Sequence, residues 1–126
     1  MSSAESNEGL YGLLARAGKA RAFNAGEVVF TKGDEGDVMF ILERGAVALK
    51  DGERVVETVG APGLFGEMAL IESKPRSLSA VAESATELVE ITAPSFWVLV
   101  HETPYFAKLV MTVMAERLRR ADEQMG

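Results

Sequence analysis

Two charges of opposite sign stand inside an apolar stretch of the chain. In "FGEMALIESKPRSLSA", residues 65–80, Glu67 follows a glycine and opens a short apolar run, while Arg76 follows a proline and leads into a β-rich run. A guanidinium in such surroundings needs a counter-anion, because an isolated buried charge is costly. Glu67 can serve in an internal ion pair, or the anion can come from outside. An external anion that suits both residues carries a phosphate for Arg76 and hydroxyl groups for Glu67. The planar arginine fork matches phosphate oxygens, and a carboxylate makes charge-assisted hydrogen bonds to sugar hydroxyls. A ribose phosphate supplies both. Apolar residues at 65, 68, 70 and 71 suffice for one or two helical turns starting at Gly66. The unpaired N–H groups of such a start attract anions.

Other chemistry finds less support. The single histidine, His101, falls near the end of an expected helix, where the macrodipole favours a cation, and reads as a surface residue. The acidic run "GDEGD" (Asp34, Glu35, Asp37) lacks the spacing and distal glutamate of a calcium loop and reads as a turn between strands. No catalytic set and no metal site is expected. Cysteine is absent, which removes disulfides and thiol chemistry. The net charge of −6 opposes nucleic-acid binding, and the one basic cluster, "RLRR" at 117–120, reads as a solvated helix face. No apolar run approaches the ~20 residues of a membrane helix, and the polar start "MSSAESNEG" is no signal peptide. A cytoplasmic location is expected.

The elements that must position Glu67 and Arg76 follow from texture. With 126 residues the chain makes one domain. Residues 1–8 read as a flexible tail and 9–126 as the domain. "LYGLLARAG" has helical spacing and stops at Gly18. Then come short β-rich runs bounded by turn residues: "EVVF", "VMFILE", "AVALK", "RVVETVG", "SLSAVAE" and "ELVEIT". Asp51-Gly52 marks a hairpin. "APSFWVLVHE" and "ETPYFAKLVMTVMAERLRRADEQM" are helical, with Pro94 and Pro104 in first turns. The last helix carries an apolar stripe of Phe106, Leu109, Val110, Val113, Met114, Leu118, Ala121 and Met125. The expected fold is mainly β with flanking helices: a jelly-roll barrel with one N-terminal helix and two C-terminal helices.

"FGEMALIESKPRSLSA" resembles the phosphate-binding cassette of cyclic nucleotide-binding domains, F-G-E-[LM]-A-L followed after a spacer by P-R-[STA]-A-[ST]. The flanks "AGEVVFTKGDEGDVMFILERGAVAL" and "SFWVLVHETPYF…ERLR" are similar to the same family, so the resemblance spans about residues 10–122. It implies a β-barrel that binds cAMP or cGMP without consuming it. By position, Glu67 would hold the ribose 2′-hydroxyl and Arg76 the exocyclic phosphate oxygens. Backbone amides near Met68, Ala69 and Ser77 would complete the cradle, with Gly66 allowing close approach. Two positions depart from the pattern. Leu78 stands where alanine is usual, and Ala121 offers no hydrogen bond where some bacterial members place a threonine against adenine.

Two kinds of function follow. The first is a cyclic nucleotide sensor that signals through its last helix to a second copy or an effector. The alternative is a module that keeps the fold for oligomerisation and has lost the ligand. Retention of both Glu67 and Arg76 favours the sensor. A DNA-binding regulator would need a further helix-turn-helix segment after the long helix, and none is expected within residue 126. The likeness to bacterial members favours cAMP, while the Ser77 hydroxyl, able to reach a guanine amino group as the family's threonine does, keeps cGMP within reach.

Overall fold

A computed structural model describes the backbone of residues 3–125 and the side chains of residues 9–123. Helix α1 (Ser3–Leu14) leads through a 3₁₀ turn (Ala15–Ala17) into eight strands: β1 (Lys19–Phe23), β2 (Val28–Phe30), β3 (Val38–Arg44), β4 (Ala46–Asp51), β5 (Arg54–Gly60), β6 (Gly63–Phe65), β7 (Ser79–Ala82) and β8 (Thr86–Thr92). The short helix α2 (Glu67–Glu72) interrupts them between β6 and β7, and α3 (Ala93–Glu102) and α4 (Pro104–Met125) close the chain. The strands form two antiparallel sheets of four, in the orders β1-β8-β3-β6 and β2-β7-β4-β5. This is the jelly-roll arrangement expected, with its two sheets left open rather than joined into a hydrogen-bonded barrel; β1, β6, β2 and β5 remain as edges.

Strand β3 shows why an uninterrupted apolar run was needed. Its side chains alternate between two cores, as pleated strands require. Phe40 and Leu42 face the second sheet with Val47, Leu49, Phe65 and Leu88. Met39 and Ile41 face the opposite way and pack with Leu64, Val89 and Ile91 under Tyr11 and Leu14 of α1, Leu70 of α2, Phe96 of α3 and Phe106, Leu109 and Val110 of α4. A strand covered on both faces has no polar side to alternate with.

Local sequence set most boundaries. Asp51 pairs with Arg54 across a two-residue turn that holds Gly52 at φ 62°. The Thr92 hydroxyl accepts a hydrogen bond from the Ser95 N–H at 3.4 Å and caps α3, with Pro94 in its first turn. Helix α4 begins at Pro104. Helix α1, which the spacing places from Leu10, begins at Ser3 and so takes in residues read as a tail; Met1 and Ser2 lie outside the described residues. The stripe of α4 divides. Its first half is buried at Phe106, Leu109 and Val110, whereas Leu118 is 65% exposed and Ala121 is exposed. Among the described residues no helix is long and apolar enough to cross a membrane.

Candidate functional site

Glu67 and Arg76 are both buried, at 1% and 5% exposure, and they are the only charged residues among the described ones to be so. They do not pair with each other. Glu67 opens α2, and its Oε1 accepts a hydrogen bond from Nη1 of Arg117, which reaches down from α4. Arg117 also donates through Nε to Glu57 Oε2 at 2.6 Å and through Nη2 to the Leu64 carbonyl at 2.6 Å. The "RLRR" cluster is thus only partly a solvated face. Arg117 lies seven residues on from Val110 and four on from Val113, on the inward side of α4, and its side chain is 21% exposed.

Arg76 has no carboxylate partner among the described residues. Its Nη1 donates to the Gly66 carbonyl at 2.8 Å and its Nη2 to the Val38 carbonyl at 2.5 Å. The guanidinium carbon lies 4.2 Å from the centre of the Phe30 ring and 5.7 Å from that of Phe40, a cation–π arrangement. Nε is buried with no hydrogen-bond partner among the described residues. Burial pushes the guanidinium below its ordinary value, and the charges of Asp37, Asp34 and Glu67 oppose that shift. A buried donor left unmade is costly and is rare in native proteins.

The acidic turn sets the backbone of Arg76. Gly33 donates to the Arg76 carbonyl at 2.9 Å, and the Arg76 N–H donates to the Asp34 carbonyl at 2.8 Å. At Gly36 a Cβ would overlap the side chain of Ala69 and come within 3.2 Å of the Arg76 guanidinium. The run reads as a turn, and its task is to hold one side of the site.

Gly66 precedes α2 at φ 82°, and a Cβ there would come 2.9 Å from Arg76 Nη1 and 3.3 Å from the Phe40 ring. Gly66→Ala is therefore expected to lose about 1–2 kcal/mol from the left-handed backbone alone. Chemical denaturation measures that loss, and a variant as stable as the parent would contradict it.

A cavity of about 190 Å³ lies over these groups. It is lined by Gly66, Glu67, Met68, Ala69, Arg76 and Ser77, together with Phe30, Leu78 and Arg117. All six residues picked out by their resemblance to the cassette thus meet at one cavity. Arg117 joins them unpredicted, and so does Phe30.

The family model of the cyclic nucleotide-binding domain matches residues 20–103. A cyclic nucleotide-gated potassium channel of Rhizobium etli is 36% identical over 104 residues, covering 82% of this chain and 29% of the channel. The cyclic AMP receptor protein of Thermus thermophilus is 33% identical over 110 residues, covering 83% of this chain and 51% of that protein. The chain thus spans about half or less of the length of these relatives. The crystal structure of the Thermus thermophilus catabolite activator protein superposes with a TM-score of 0.78 at 30% identity, covering 90% of this chain and 56% of that one. On the match over residues 20–103 and the shared fold, the chain belongs to the cyclic nucleotide-binding domain family.

Proposed function

We propose that the domain is a receptor for a purine 3′,5′-cyclic nucleotide, binding it unchanged and passing the event on through α4. One observation carries the reading. Arg76 is buried at the cavity with its Nε unpartnered and no carboxylate on its guanidinium. An anionic phosphate would supply the missing acceptor and offset part of the desolvation. Glu67 would accept a hydrogen bond from the ribose 2′-hydroxyl, with main-chain N–H groups near Met68, Ala69 and Ser77 around the phosphate. The alternative, a module without ligand, draws support from the Glu67–Arg117 contact, which already engages the carboxylate. It leaves the unpartnered Nε unexplained. Calorimetric titration with cAMP and cGMP decides: saturable binding of either supports the receptor, and no heat with both supports the alternative.

Helix α4 supplies the output in this reading. Ala107, Met111, Met114, Leu118 and Ala121 follow one another at spacings of four and three, a heptad-like seam. Met111 and Leu118 on it are 62% and 65% exposed. A second copy of the chain, packed along α4, fits this seam. The variant carrying Met111→Glu and Leu118→Glu should then sediment as a monomer where the parent sediments as a dimer. A monomeric parent would leave α4 to a different partner.

A further inference from the structure

We propose that Glu57 selects the purine base and that the base it favours is guanine. The inference rests on the receptor reading and deepens it. Past Arg117 lies a second cavity of about 400 Å³, and Leu49, Leu78 and Arg117 line both. With phosphate at Arg76 and ribose at Glu67, the base is the bulky group left to place, and the adjoining cavity is the space open to it.

Among the described residues that line it, one is a carboxylate. Glu57, on β5, has a side chain only 13% exposed and lies beside Thr58 and Arg120 in the cavity wall. Its orientation is fixed from two sides, since Oε2 accepts from Arg117 Nε at 2.6 Å and Oε1 pairs with Arg120 Nη2 at 2.8 Å. A carboxylate offers about four acceptor positions, so each oxygen keeps one open. Two acceptors side by side complement guanine, whose N1–H and 2-amino group are neighbouring donors. Adenine has an acceptor at N1 next to its 6-amino donor, so a carboxylate meets one favourable and one repulsive group. Ala121, which lines the same cavity, has no side-chain group to hydrogen-bond adenine. A buried group made to hydrogen-bond one partner discriminates strongly against another that leaves it unpaired.

The test uses three ligands on the natural chain and one variant, read by calorimetry. The natural chain should bind cGMP about tenfold or more tightly than cAMP, the scale of a good bidentate contact. Inosine 3′,5′-cyclic monophosphate keeps N1–H, lacks the 2-amino group and should bind more weakly than cGMP. Glu57→Gln turns the two acceptors into one acceptor and one donor, the complement of the adenine edge. It should weaken cGMP about tenfold or more while cAMP holds or tightens. Equal affinity for cGMP and the inosine nucleotide in the natural chain, or equal losses for cGMP and cAMP in Glu57→Gln, overturns the assignment of the base and leaves the receptor intact. A chain that binds none of the three removes the receptor reading itself.

Discussion

Arg76→Leu is expected to reduce cyclic nucleotide affinity by about 2–5 kcal/mol, the scale for truncating one partner of a buried charge pair. At ~1.4 kcal/mol per decade this is roughly thirtyfold to several thousandfold. The leucine cannot donate to a phosphate, and it also frees the carbonyls of Gly66 and Val38, which Arg76 now satisfies. Stability and affinity must therefore be measured together, by denaturation and by titration. Arg76→Lys separates the two, because it restores the charge without the planar fork. A lysine variant that stays folded and binds as well as the parent would count against the phosphate role.

Arg117→Met should destabilise the ligand-free domain by about 3 kcal/mol, the low end for breaking a buried pair, since Glu67 is left buried without its cation. The low end applies because the Arg117 side chain is 21% exposed and water reaches it. Its removal also frees Glu57 from one of two arginines and leaves the Leu64 carbonyl without its donor. Glu67→Gln added to Arg117→Met should recover a large part of the loss, because a neutral amide has far less desolvation to compensate. Equilibrium unfolding of the two single variants and the double variant measures the coupling. Strict additivity would mean that the Glu67–Arg117 contact contributes nothing to holding α4.

Much of the fold could be read from local signals. The β3 run, the Asp51-Gly52 hairpin, Pro94 and Pro104 each act within a few residues, and each lies where its chemistry requires. Strands β1 and β6 had no such signal. In "KARAF" four of the five residues are exposed and two are alanines, and β6 is only three residues long. Glu67 and Arg76 stood out because charges in an apolar stretch demand a reason. Their actual partners did not, since Arg117 is fifty residues from Glu67 in sequence. The signal that could have found Arg117 is its position on the inward side of α4, in step with Phe106, Leu109, Val110 and Val113. Reading "RLRR" as a cluster of like charges hid that one of them faces inward. Leu118, which lies with Met111 on the outward seam, was likewise merged with the buried stripe, because helical spacing alone does not say which side meets the core.

The main-chain bonds from the acidic turn to Arg76 have a consequence for folding. The site is assembled from residues 33–38, 66–69, 76–77 and 117, segments that meet only when both sheets and α4 are in place. Neither the peptide holding the cassette nor a half-formed sheet contains it, so no partly folded chain offers the anion its acceptor-starved guanidinium. A ligand of this site then binds the native state alone, and its free energy adds wholly to folding: at a hundred times its dissociation constant, about 2.7 kcal/mol. In a domain of ordinary marginal stability, occupancy of the pocket also governs what fraction of the chains is folded.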